Sequence, residues 1–286
     1  MCEVYRVKRN YLDLEKNPIE IAKGIYWVGY TNDNAGLHCN PYLIIEGNEA
    51  VLIDGGNRDD FSTVMLKILR TGLDPCRISR LIYQHYDPDL CGNLPQLEAI
   101  INNDDLQIIS HSENNIFIHY YSKKTPKRDF RFIGHEFVFK TGRKLKFFAT
   151  PFCHAPGSFI TYDEKTKTLF SSDIFGSYGG GWELYLDLHQ QCINCEGKPV
   201  CESDGKKCPL EGIKLFHRQI MSSTKALAHT LDVLDSIEAE IVAPQHGSIL
   251  SSRADINAVK RHLRSLDHVG IDFVLKAKDN GNILSL

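Results

Sequence analysis

No apolar stretch in this chain of 286 residues approaches the roughly 18 that a membrane span requires. Charge of one sign is not in excess either. The formal net charge is −3, which argues against the basic surface of a nucleic-acid binder or of a protein held to an anionic membrane. The opening residues, Met1-Cys2-Glu3-Val4-Tyr5-Arg6, carry charge where a secretory signal is apolar, so a cytoplasmic protein is expected. Pro/Gly-rich linkers and low-complexity breaks are missing, which points to one domain over residues 1–286. No Gly/Thr-rich phosphate loop follows a strand, so a built-in FMN site is not expected.

Cysteine, by contrast, is plentiful, with nine residues. Cys2, Cys39, Cys76, Cys91 and Cys153 are scattered, whereas Cys192-x2-Cys195-x5-Cys201-x6-Cys208 form a cluster. In a reducing compartment such spacing reads first as a metal site rather than a disulfide set. The surrounding insertion, residues 190–210, is too polar to form its own core and needs a staple. Tetrahedral zinc on Cys192, Cys195, Cys201 and Cys208 would serve. A rubredoxin-like iron site would need two Cys-x2-Cys knuckles, and one is present. Disulfides and unligated thiols are the remaining states.

Short apolar runs at Gly24–Val28, Asn40–Ile45 and Glu49–Asp54, divided by turn residues, predict an antiparallel meander. Phe61, Val64, Met65, Ile68 and Leu69 then fall at helical spacing, with Asp59 or Asp60 as N-cap and Gly72 as the stop. A strand over Arg80–Gln84, a helix near Leu94–Asn102 and a strand at Leu106–Ser110 follow. Further strands are expected at Phe130–Ile133, Glu136–Phe139, Lys144–Ala149, Ser158–Tyr162, Thr168–Ser171 and Ile241–Ala243. Helices are expected around Leu227, Leu231 and Leu234 and over Ala254–Leu266, with a polar tail at Lys276–Gly281. The order implies two sheets enclosed by helices, an α/β class.

Candidate chemistry sits where these strands end. His85, Asp87 and Asp89 occupy alternate positions, and in extended backbone such side chains point the same way. His154 follows Pro151-Phe152-Cys153, Asp173 follows Leu169–Ser172, and His246 closes Ile241–Gln245. Three imidazoles and three carboxylates form a hard, oxygen-rich donor set that favours iron or manganese over zinc. Any one of the six has an ordinary structural explanation; six in order at strand ends do not. The other histidines (His38, His111, His119, His135, His189, His217, His229, His262 and His268) read as packing or solvent-facing residues. Tyr83 and Tyr86 flank the triplet as packing aromatics or as hydroxyl donors to a bound oxygen ligand.

The ordered motifs His-x-Asp-x-Asp, His-Ala-Pro-Gly-Ser, Ser-Ser-Asp and Pro-Gln-His-Gly resemble the metallo-β-lactamase superfamily, and most nearly the di-iron domain of flavodiiron proteins. The resemblance spans about Gly24 to Arg264 and implies an αββα sandwich carrying the Cys-rich insertion. It implies one iron held by His85, Asp87 and His154, a second by Asp89 and His246, and Asp173 bridging both. Asp54, in Leu-Ile-Asp-Gly-Gly, matches the family's supporting aspartate. Two departures stand out: Asp87 occupies a position usually held by Glu, and Leu90 one usually held by His. No catalytic residue beyond the metal ligands is implied.

Three functions follow as expectations. The first is a sensor that binds O2 or NO and signals to a partner protein or output domain. The second is an O2 or NO reductase fed by an external electron donor. The third is a metal-dependent hydrolase, although hydrolytic zinc members carry mostly imidazoles in a His-x-His-x-Asp-His pattern. Family members commonly pair head to tail, which makes a homodimer the expected assembly.

Overall fold

A computed structural model describes residues 16–30, 37–178, 183–188, 192, 195, 200, 205 and 208–279. The first sheet has seven strands in chain order: β1 (Ile19–Ala22), β2 (Ile25–Trp27), β3 (Tyr42–Glu46), β4 (Glu49–Ile53), β5 (Ile78–Ile82), β6 (Gln107–Ser110) and β7 (Lys127–Asp129). The first four pair antiparallel, as the meander predicts, and β4 through β7 run parallel. Parallel pairing requires crossovers. These include the helices α1 (Phe61–Arg70), α2 (Pro88–Cys91), α3 (Leu94–Ile101) and α4 (Ser112–Ile118).

The second sheet contains β8 (Glu136–Val138), β9 (Lys144–Ala149), β10 (Phe159–Asp163), β11 (Thr168–Phe170) and β12 (Ile241–Ala243), in the order β12-β11-β10-β9-β8. It is covered by α5 (Pro209–Ile220), α6 (Thr224–Asp235) and α7 (Arg253–Arg264), with α8 (Ile271–Asp279) against α5.

Strand alternation builds the layers. Ile44, Val51, Ile53, Ile82, Ile109, Phe147, Phe159 and Phe170 meet between the sheets. Their neighbours Leu43, Leu52, Leu81 and Ile108 turn outward under α1, α3 and α4, while Ile160, Leu169 and Val242 turn toward α5–α7. Helix, sheet, sheet and helix layers therefore stack as the αββα sandwich.

The structure corrects several local expectations. Phe130–Ile133 is a 3₁₀ turn rather than a strand: Asp129 Oδ1 accepts the Arg131 N–H at 2.9 Å, and Gly134 closes the turn at φ 80°. The sheet edge there is the polar β7, which carries no apolar alternation to read. Lys276–Asp279, expected as the start of a tail, continues α8. Helix α1 leaves Leu69 half exposed and buries Lys67, whose ammonium lies 3.9 Å over the Trp27 ring and donates to the Gly29 carbonyl. Asp60 is its N-cap residue, as expected, but makes no side-chain capping bond; Asn57 Oδ1 instead accepts the N–H groups of Asp59 and Asp60 at 2.8 and 3.0 Å. Among the described residues, no helix is long and apolar enough to cross a membrane.

Candidate metal centre

The six sequence-selected residues converge. His85, almost wholly buried, leaves the end of β5. Asp87 follows in extended backbone, at φ −65° and ψ 154°, and caps α2. Asp89 then lies in the first turn of α2, so it reaches the site from a helix and not from the extended run that the spacing suggested. His154 stands on the loop after β9, where the Ser222 hydroxyl donates to its carbonyl at 2.9 Å. Asp173 follows β11 and Ser172, and His246 follows β12. The last two loops are tied together, since the Gln245 N–H donates to the Ser172 carbonyl at 2.8 Å.

Asp173 is at the centre. Its Oδ2 lies 3.1 Å from His154 Nε2, while its Oδ1 lies 3.8 Å from His85 Nε2 and 3.7 Å from His246 Nε2. Asp87 Oδ2 is 3.2 Å from His154 Nε2, and Asp89 Oδ2 is 3.1 Å from His246 Nε2. Two donor groups result: His85, Asp87 and His154 on one side, and Cys39, Asp89 and His246 on the other. Donors that share one ion through bonds of about 2.0–2.3 Å sit about 3–4 Å apart.

The imidazoles are fixed from behind. His246 Nδ1–H donates to the His38 carbonyl at 2.7 Å, which leaves Nε2 facing the centre. His85 Nδ1 is 3.1 Å from Ser172 Oγ. Such outer contacts set ring orientation and the ligating nitrogen. Two buried atoms facing the middle, His85 Nε2 and Asp173 Oδ1, have no hydrogen-bond partner. Buried polar atoms are rarely left so. Imidazole nitrogens and carboxylate oxygens arranged this way suit cations, and the residues fit a pair of metal ions.

Electrostatics agree. Burial alone would push the Asp173 carboxyl up, but the imidazoles of His85, His154 and His246 hold it well below the usual carboxylate range. Burial would pull His154 down, yet the carboxylates of Asp173 and Asp87 push it up to about 10. Asp89 is lowered, burial being outweighed by His246. The centre holds clustered negative charge that must be balanced by cations, whether protons or metals.

Asp54 sits behind the cluster at φ 53°, and its Oδ1 accepts the Gln84 N–H at 3.2 Å, fixing the backbone just before His85. Burial pushes its carboxyl well above the usual range. Tyr83 belongs to the helix-side core, and Tyr86 stacks on Phe117 with centroids 4.3 Å apart. Leu90 is fully buried in that same core, away from any ligating role. Of the other histidines, His189 lies outside the described residues. His217 is buried, its Nδ1–H donating to the Ile213 carbonyl at 2.7 Å and its Nε2 accepting the Phe175 N–H at 3.2 Å.

Of the clustered cysteines, Cys201 lies outside the described residues. Cys192 and Cys208 are buried in the core beneath α5–α7, Cys208 being the residue that caps α5. The Cys195 N–H donates to the Cys192 carbonyl at 3.4 Å.

Cys39 is the residue that sequence reasoning missed. Nothing in its spacing marks it, and it reaches the centre through Asn40. The Asn40 side chain donates to the carbonyls of Pro244 and Gly247 at 3.0 and 2.8 Å, which lays this segment beside His246.

Known proteins show the same arrangement of chain. A flavo-diiron protein, FprA2 of Clostridium acetobutylicum, is 27% identical over 269 residues, covering 87% of this chain and 61% of that protein. An anaerobic nitric oxide reductase flavorubredoxin of an Enterobacter species is 29% identical over 194 residues, covering 61% of this chain and 39% of that protein. The chain thus spans about two fifths to three fifths of these relatives. Among solved structures, the chemotaxis sensor ODP in its peroxy diiron species superposes with a TM-score of 0.70 at 22% identity, covering 91% of this chain and 98% of the sensor. That likeness establishes the metallo-β-lactamase-type fold. The family model described as ODP family beta lactamase matches residues 37–247. This match runs from the segment bearing Cys39 to the loop bearing His246, well over half of the chain, and the protein belongs to that family.

Proposed function

We propose that this chain is a non-haem di-iron domain that binds O2 or NO and works as a gas or redox sensor. The carrying observation is Asp173, whose Oδ2 faces His154 and whose Oδ1 lies between His85 and His246, so that one carboxylate adjoins both donor groups. On this reading His85, Asp87 and His154 would hold one iron, Asp89 and His246 the other, and Asp173 would serve both. Ferrous ions held there would supply the electrons and the adjacent positive charge that a diatomic ligand needs.

The chain's own residues do the rest. Carboxylates from Asp87, Asp89 and Asp173 favour iron over zinc by their hardness. His38 and Ser172 hold the imidazoles in register, and Asp54 secures the strand end. Leu90 supplies no donor at the second position, where the resembled family usually carries His. The likeness to the chemotaxis sensor supports sensing, and the likeness to the reductase flavorubredoxin supports turnover as the second reading.

We take residues 1–286 as one such domain, with residues 190–210 as an insertion stapled by zinc or iron on Cys192, Cys195, Cys201 and Cys208. A cytoplasmic homodimer signalling to a partner protein completes the proposal.

The test is elemental analysis of anaerobically purified protein, followed by absorption spectra on adding O2 or NO. Two irons per chain and a long-lived spectral change with slow turnover are expected. Rapid gas consumption with an added flavoprotein or rubredoxin donor would instead establish the reductase. Stoichiometric zinc with thioester, lactam or phosphoester cleavage would establish a hydrolase.

A further inference from the structure

A buried cysteine ordinarily serves as a small apolar residue. Cys39 does not face apolar neighbours alone. Its Sγ lies 3.7 Å from Asp89 Oδ2, and with His246 these donor atoms fall within 4.8 Å of one another. His246 also faces Asp173 Oδ1, which is buried and without a hydrogen-bond partner. That oxygen lies 3.7 Å from His246 Nε2.

The placement is rigid. The Cys39 carbonyl accepts the Tyr30 N–H at 3.3 Å, and the Asn40 N–H donates to the Gln245 carbonyl at 2.9 Å. Asn40 Oδ1 also accepts the Trp27 indole N–H at 2.8 Å. Two neighbouring backbones and one indole therefore hold this segment against the loop that delivers His246.

We propose that Cys39 is a protein ligand of the second metal ion, its sulfur joining Asp89, His246 and Asp173. The inference rests on the di-metal reading and refines it. The second position gains a soft sulfur donor, from the segment that precedes β3, where Leu90 contributes none. The first position, with His85, His154, Asp87 and Asp173, has nitrogen and oxygen alone. The two ions then sit in chemically unequal places, and the second prefers a thiophilic ion.

The experiment loads the anaerobic full-length apo-protein with cadmium-113 and records its NMR spectrum, because the cadmium shift reports the number of sulfur ligands. Wild type should show one resonance between those of a sulfur-rich site and of a nitrogen/oxygen site. In Cys39→Ser that resonance should move into the nitrogen/oxygen range, and iron(II) affinity at one position, measured against a competing chelator, should fall at least tenfold. Cys39→Ala keeps the small buried volume, so it serves if the serine variant folds poorly. Unchanged resonances and iron affinity in both variants would overturn the role of Cys39 and leave the pair of ions standing. Failure of wild type to bind cadmium or iron at either position would overturn both readings together.

Discussion

Arg143 and Asp163 meet in a buried fork, Nε to Oδ1 at 2.7 Å and Nη2 to Oδ2 at 2.9 Å. Both side chains are almost completely shielded from water, and Glu46 adds a contact to Nη1 at 3.1 Å. The pair links β9 and β10 to the hairpin of β3 and β4, and so joins the two sheets. Arg143→Met should leave Asp163 charged, buried and without its main partner, destabilising the fold by about 3–5 kcal/mol. Urea denaturation should show this loss, and the double variant with Asp163→Asn should recover part of it. A single-variant cost below about 1 kcal/mol would mean that the fork does not matter to stability.

His217 makes the fold sensitive to mild acid. Burial first, against weaker help from the Ile213 carbonyl, pulls its imidazole down to about 4 from an ordinary 6.5. Above pH 6.5 both folded and unfolded chains keep it neutral, and stability is full. As pH falls from 6.5 to 4 the unfolded chain takes up a proton that the folded chain refuses, so stability declines. The contribution is on the order of 3–4 kcal/mol at about 1.4 kcal/mol per unit. His217→Gln should be less stable at pH 7 but should show a flatter loss of urea midpoint between pH 7 and 4.5.

Asp173→Asn should remove at least one metal ion per chain without unfolding the protein. Atomic absorption on the anaerobically purified variant checks this. A variant that retained two irons and the wild-type spectrum would displace Asp173 from the bridging role.

Ser172→Ala should act more gently. Losing the hydroxyl 3.1 Å from His85 Nδ1 frees the imidazole to rotate. Loss of such an outer contact typically weakens metal binding about 10–100-fold. A chelator competition with iron(II) should register that change, while the thermal midpoint of the metal-free protein moves little.

Gly55 has no room for a side chain: a Cβ there would lie 2.5 Å from Asn93 Oδ1 and 3.0 Å from the Leu90 carbonyl. Its N–H holds that same carbonyl at 2.9 Å, fixing α2 and with it Asp89. Gly55→Ala should cost about 1–3 kcal/mol by overpacking, read as a lower urea midpoint.

His85, His154, Asp173 and His246 were legible because each follows an apolar run that period-two alternation identifies as a strand. Such strands end at one rim of the sandwich. Asp89 was legible as a residue but not in its setting, because Pro88 starts a helix so short that no periodicity betrays it. Helix α5 went unread although Leu210, Ile213 and Phe216 recur on its buried face. The helix opens at Pro209, directly behind the polar Cys-rich insertion, so no apolar run announces it. Cys39 was beyond reach for a deeper reason: its position depends on side-chain bonds between segments more than two hundred residues apart. Local spacing carries no trace of such contacts.

The Asn40 clamp also has a kinetic consequence. It closes a separation of 204 residues to Pro244 and 207 to Gly247. A nascent chain cannot make that closure until nearly everything in between has been synthesised and arranged. Uptake of the second ion should therefore be among the last events of maturation, and delayed metal incorporation would mark molecules whose two halves have not yet met.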